Sequence, residues 1–293
     1  MPPVIVDVHT HAFPPRMIAA RATLAAHDAG FAALYANPRA RMATAEDLLA
    51  AMTAARVDHA VVAGFWWRDP ALAAEHAHYL LDAARAANGR LLPFVPAAGC
   101  DEAALRALVA RGARGVGELR TDALDADALA NLGRAAAALD LPLLAHCSEP
   151  VGHHYGGKTG GFTPGALWDF LCAHPHVRVI AAHWGGGLPF YALMPEVRAV
   201  LDRDRLAFDS AASPLLYDPA VFAGVAQLAG PAHVLWGSDF PLRDQAADRA
   251  AVEAALPDTT PPDATLRAAV LGDNAARLLR LPPRADAPPS VQR

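Results

Sequence analysis

Short apolar runs, many of them β-branched, recur along the chain and are separated by longer Ala/Leu-rich stretches whose apolar positions repeat at helical spacing. The runs read as strands at VIVDVH (4–9), HAVVAGF (59–65), LLPFVPA (91–97), ARGVGEL (113–119), LPLLAHC (141–147), VRVIAAH (177–183), RLAFDS (205–210) and HVLWGSD (233–239). Between them the spacing predicts helices over Thr44–Arg56, His76–Asn88, Asp101–Ala110, Asp125–Leu139, Pro164–His174 and Phe190–Asp202, with a final helix over Asp263–Leu281. Thr44 is placed to cap the first of these, which carries Leu48, Leu49 and Met52 on its inner face. Eight strands alternating with helices in 293 residues match an α/β (β/α)8 TIM barrel in count and length. A doubly wound open sheet alternates in the same way and stays open at this point. No linker or break in composition divides residues 1–281, so they read as one domain. Residues 12–43 form an insertion after the first strand that would cover the barrel mouth, with His27 and Tyr35 as contacts; the Pro-rich residues 282–293 read as a tail.

Composition narrows the class. A hydrophobic content of 54% excludes a disordered chain, and a net charge of −5 argues against nucleic acid or an anionic membrane as the main partner. Three scattered cysteines, Cys100, Cys147 and Cys172, cannot form a disulfide framework or a thiolate metal site and suggest a reducing compartment. There is no signal-peptide pattern at the N-terminus and no apolar window long enough to span a membrane, so a cytoplasmic enzyme is expected. Size and fold alone suggest a homodimer.

In such a barrel the reactive groups sit at the C-terminal ends of the strands. Strand one ends in DVHTH, and period-two alternation puts Asp7, His9 and His11 on one face. Glu118 ends strand four, His146 strand five, His183 strand six and Asp239 strand eight. Each alone has a plainer reading: a hydrogen-bonded structural histidine, a helix-capping Asp, or Glu118 paired with Arg120 or His146. Their coincidence at strand ends points to a metal site, and nitrogen and carboxylate donors suit Zn2+, Mn2+ or Fe2+.

The ordered set DVHTH, LLAHCSEP, VIAAHWGGGLPFY, VLWGSDFP and GDNAARLLRL resembles the amidohydrolase superfamily, specifically its amidohydrolase-2 branch of metal-dependent TIM-barrel hydrolases and decarboxylases. The resemblance spans nearly the whole chain. It implies that His9, His11, His146 and Asp239 are metal ligands, with Asp239 doubling as general base. His183 would either bind a second ion or orient the attacking water. Glu118 stands where binuclear members carry a bridging carboxylate, and this tilts the expectation towards hydrolysis of an ester, lactone or amide by one or two ions, Zn2+ first. The alternative is a one-metal non-oxidative decarboxylase. A third reading is a binding protein that has lost catalysis, which filled catalytic positions do not favour. Asp7, one step deeper than His9, is expected to orient ligands or pair with polar neighbours rather than bind the ion.

The stretch GHHYGGKT (152–159) matches a P-loop letter for letter, yet Gly160, Gly161 and Pro164 prevent a helix from opening at Lys158, so the match reads as accidental. In a barrel this is the loop over the metal, with His153, His154, Tyr155 and Lys158 overhanging a small-molecule substrate and Lys158 able to hold a carboxylate. FWWRDP (65–70) offers aromatic walls and Arg68 at the mouth of strand two, with Trp66 and Arg68 as substrate contacts suited to an aromatic or apolar acid. The three glycines of HWGGGLP let the chain turn tightly beside the metal.

Overall fold

The computed structural model describes residues 3–257 and 263–282. Eight strands lie parallel in sequence order: β1 Val6–His11, β2 His59–Ala63, β3 Leu91–Val95, β4 Gly115–Leu119, β5 Pro142–Ala145, β6 Arg178–Ala181, β7 Leu206–Asp209 and β8 Val234–Leu235. The sheet closes on itself between β8 and β1 through Val8 N–H to Trp236 O at 3.0 Å, Asp239 N–H to His9 O at 2.9 Å and His11 N–H to Phe240 O at 2.7 Å. The chain is therefore a (β/α)8 barrel, and the open-sheet alternative is excluded. From 283 onward the expected tail lies outside the described residues.

Each strand is followed by a helix that covers it: α1 Ala45–Ala54, α2 Pro70–Ala86, α3 Glu102–Ala110, α4 Ala126–Ala138, α5 Pro164–Ala173, α6 Pro195–Leu201, α7 Val221–Ala229 and α8 Gln245–Ala255. Local chemistry sets their starts. Thr44 and Asp47 form a reciprocal capping box on α1, and Leu48 and Met52 of that helix are fully buried. Asp69, Asp101, Asp125 and Asp244 cap α2, α3, α4 and α8 through side-chain acceptors. Helix α2 begins six residues before the apolar periodicity does, because Asp69-Pro70 supplies the cap and the first turn. Helix α6 is shorter than expected: a 3-10 turn at Leu188–Tyr191 precedes it, and Pro195 restarts the helix.

Two strands depart from regular pairing, and both lead into the site. The register of β1 against β2 shifts between Asp7 and Thr10, and that of β4 against β5 shifts between Val116 and Leu119. Each shift inserts one extra residue, a bulge that re-aims the side chains beyond it. In β4 the bulge needs Gly117 at φ +152°, where a Cβ would meet the Leu144 carbonyl at 2.6 Å. In β1 it parts Asp7 from His9, so the single face expected for Asp7, His9 and His11 does not hold. Residues 12–43 carry three short helices, Pro15–Ala19, Arg21–His27 and Ala29–Tyr35, which pack Phe13, Phe31, Phe65 and Trp67 into one aromatic cluster beside the mouth. The helix over 263–278 is broken by a π turn over Ala269–Asp273, whose Val270 carbonyl accepts from Trp236 N–H at 2.9 Å and so ties this helix to the residue after β8. No helix among the described residues is long and apolar enough to cross a membrane.

Candidate metal centre

Four imidazoles and two carboxylates meet at the C-terminal mouth of the barrel. His9 Nε2 lies 3.1 Å from His11 Nε2, 3.5 Å from Glu118 Oε1 and 3.7 Å from Asp239 Oδ1. His11 Nε2 lies 3.4 Å from Asp239, and His183 Nε2 lies 3.6 Å from Glu118. Ligand atoms bound about 2.1 Å from one tetrahedral ion sit roughly 3.4 Å from each other, so these spacings fit a metal. Two overlapping trios, His9–Glu118–His183 and His9–His11–Asp239, are close enough to share an ion each. His146 stands beside them with Nδ1 2.8 Å from Glu118 and Nε2 2.5 Å from the Gly157 carbonyl.

Neighbours fix how these groups point. His9 Nδ1 meets Asp209 Oδ2 at 3.0 Å, and His183 Nδ1 donates to the Ala211 carbonyl at 2.9 Å, which turns both Nε2 atoms towards the cluster. Asp209 Oδ1 also accepts from the backbone N–H groups of His183 and Ala211, each at 3.0 Å. Sequence reasoning missed Asp209; the available signal was a carboxylate at the end of strand seven, level with the other strand-end groups. Asp7 accepts from Ser238 N–H, Ser238 Oγ and Gln245 Nε2 at 2.6–2.9 Å, so it anchors the β8 loop that carries Asp239. His183, Trp184 and Asp239 hold left-handed backbone (φ 54°, 58° and 63°), strain of ~1–3 kcal/mol each that the surrounding bonds sustain. Gly185, Gly186 and Gly187 continue the same turn (φ 58°, 60° and 97°).

Electrostatically the cluster demands positive charge. Burial alone would raise Asp239, yet His11, His9 and His183 pull it down to about 2. Burial likewise opposes Glu118, and His146 and His9 hold it well below the usual carboxylate range. Burial would depress His9 and His183, but Asp209 and Glu118 lift the first to about 10 and Glu118 with Asp239 lifts the second to about 8. The same carboxylates that favour imidazolium here would favour a divalent cation.

A cavity of about 630 Å3 opens from this cluster, reached by His11, Glu118, His146, His183 and Asp239. Its walls include Phe65, Trp66, Tyr35, Tyr155 and His153. Of the expected substrate contacts, Trp66, His153 and Tyr155 line it, as does Tyr35 from the insertion; the exposed His27 does not. Two expectations are corrected. Lys158 turns into its own loop, donating to the Val151 and His153 carbonyls at 2.5 and 2.8 Å and pairing with Glu149 at 3.4 Å. Arg68 is exposed and donates to the Asp122 carbonyl at 2.5 Å, away from the cavity wall. Gly156–Lys158 is a lone 3-10 turn with no helix behind it, so no phosphate cradle forms.

Fold and site together define a barrel with a histidine–carboxylate centre at the mouth and an aromatic cavity above it. Residues 6–281 match the amidohydrolase family model, of the amidohydrolase-2 type, and the chain belongs to that family. Among solved structures, it is similar to 5-carboxyvanillate decarboxylase from Novosphingobium aromaticivorans, which holds manganese and 4-hydroxy-3-methoxy-5-nitrobenzoic acid (TM-score 0.71, 16% identity, 96% of this chain and 97% of that one). It is similar to 2,6-dihydroxybenzoate decarboxylase bound to 2,6-dihydroxybenzoate (TM-score 0.68, 15% identity, 95% and 100%). A candidate 2-pyrone-4,6-dicarboxylic acid hydrolase from Pseudomonas putida is similar at TM-score 0.65 and 16% identity, over 96% and 98%. No curated protein matches the sequence.

Proposed function

We propose that the protein is a metal-dependent enzyme acting on a small carboxylate-bearing aromatic acid, and that its reaction is non-oxidative decarboxylation. The observation that carries this reading is the opening of the His9–His11–Asp239 cluster into a cavity walled by Phe65, Trp66 and Tyr155. It draws support from the two similar decarboxylases of hydroxylated aromatic acids, and this reverses the preference for hydrolysis that Glu118 suggested from sequence. His9, His11 and Asp239, with His183 or Glu118 beside them, would hold a divalent ion, manganese or zinc. Such an ion supplies a Lewis acid that binds a carboxylate and a neighbouring oxygen and stabilises charge developing on the ring. The flat walls orient the ring and exclude water. Asp239 and His183, both facing the cavity, are placed to hold and move the proton that replaces the carboxylate on the ring carbon.

Hydrolysis is a second reading with one observation in its favour. Glu118 lies within 3.5–3.7 Å of His9, His11 and His183, where a carboxylate could bridge two ions. Elemental analysis of wild type and Glu118→Ala, paired with carbon dioxide release from hydroxybenzoic acids, separates the two. One equivalent of metal retained in the variant, with carbon dioxide evolved by wild type, supports the lyase. Two equivalents falling to one, with esters or lactones cleaved and no carbon dioxide, would overturn it in favour of hydrolysis.

A further inference from the structure

Arg120 is 2% exposed, yet its Nη1 has no hydrogen-bond partner. Its Nη2 donates to the Thr159 carbonyl, and Nε also lacks a hydrogen bond, with Asp122 Oδ1 standing 3.5 Å away. A guanidinium out of water with free N–H groups costs free energy unless a partner arrives. The reason for its direction lies in β4. Glu118 lies within the β4 register shift and Arg120 just past the end of the strand, and both line the cavity above the metal cluster. The Phe65 ring lies 6.0 Å from the guanidinium carbon. A second buried donor, the indole N–H of Trp66, is also unpartnered and belongs to a residue lining the same cavity. Arg39 and Arg41 stand exposed on the rim, where they can steer an anion inward but are hydrated already.

We propose that Arg120, assisted by the Trp66 indole, is the anchor for a second acidic group of the substrate, separate from the carboxylate that reacts. The substrate is therefore a diacid, with one anionic group at the His9–His11–Asp239 end and another at Arg120. The carboxylate that reacts is assigned to the ion, which leaves Arg120 free to hold a different group. A remote carboxylate keeps its charge throughout, so charge-assisted hydrogen bonds to it hold the ring in place without opposing the reaction. This assignment rests on the cavity being the site of an enzyme of carboxylic acids.

Titration calorimetry on the manganese-loaded protein with benzoate, isophthalate and 3-carbamoylbenzoate tests it. The last probe has the shape of isophthalate with one carboxylate made neutral. Isophthalate is expected to bind at least about ten-fold more tightly than either monoacid. That excess should vanish in Arg120→Gln and return in part in Arg120→Lys, with benzoate affinity changed less than about three-fold. Equal binding of the three probes by wild type overturns the role of Arg120 while leaving the aromatic-acid site standing, and needs no variant to fold. An excess that survives in Arg120→Gln overturns it too. Failure of all three to bind overturns both this role and the reading on which it rests.

Discussion

His9 and His76 are equally buried, each with no exposed surface, and their surroundings take them in opposite directions. His9 belongs to the rim cluster, where burial is outweighed by Asp209, Glu118 and Asp239 and its pKa climbs to about 10. His76 belongs to the aromatic cluster behind the insertion, where burial dominates, the Ala12 carbonyl opposes it only partly, and the pKa falls to about 4. There the ring donates from Nε2 to Ala12 O at 2.7 Å and accepts at Nδ1 from the Trp67 indole at 3.0 Å. One histidine sits among acceptors that welcome a cation; the other fills a fixed donor–acceptor slot that admits only the neutral ring. A buried histidine is thus a ligand candidate because of its carboxylates, not because of its burial.

The comparison breaks most sharply at Asp209. Asparagine offers one acceptor and one donor where Asp209 uses one oxygen for His9 and the other for two backbone N–H groups, so one side of Asp209→Asn must face a donor with a donor. Affinity for manganese or zinc should fall about 10–100-fold, as measured by competition with a chelating dye, with the far-ultraviolet circular dichroism unchanged. Unchanged affinity would mean that His9 is held by its strand alone.

Much of this was legible beforehand. Eight apolar runs marked the strands, and polar residues at their ends marked the rim, because a parallel barrel buries its strands on both faces and leaves only the ends for chemistry. The bulges were not legible, since one extra residue leaves a strand's composition unchanged; only Gly117 hinted at the second. They matter because they send Asp7 to Ser238 and Gln245 and bring Glu118 and Arg120 into the cavity. Lys158 and Arg68 misled because a long cation on a loop can reach the mouth or fold back on nearby carbonyls, and spacing does not distinguish these.

The other arm of the comparison sharpens with pH. For His76 the folded pKa lies near 4 against 6.5 for the free side chain, so the unfolded chain binds more protons between those values and stability falls as pH falls. The shift of about 2.5 units corresponds to ~3 kcal/mol lost between pH 7 and 4. Asp7 acts the other way in the same window: burial raises it to about 6, so its contribution grows as pH falls. The difference between two proteins is therefore the readout. Urea denaturation of wild type and His76→Gln should show the variant less stable at pH 7 by about 1–3 kcal/mol, from the disturbed Trp67 bond, with the gap closing or reversing by pH 4. A constant gap would mean that His76 is not held neutral in the fold.

The smallest effect is expected where the cation is already satisfied. The Arg68 side chain is 53% exposed, its bond to the Asp122 carbonyl lies in solvent, and its pair with the Asp122 carboxylate, at 3.9 Å, is long. Such contacts contribute little, so Arg68→Ala should shift stability by no more than about 0.5 kcal/mol. Isophthalate binding should change less than about two-fold, against the ten-fold or greater loss expected at Arg120. The contrast is a matter of solvation: the exposed Arg68 guanidinium is open to water, so a ligand would displace as much as it supplied, whereas Nη1 of Arg120 is buried without a protein partner. A large loss of isophthalate affinity in Arg68→Ala would show that Asp122, which stands near both arginines, transmits the change to Arg120.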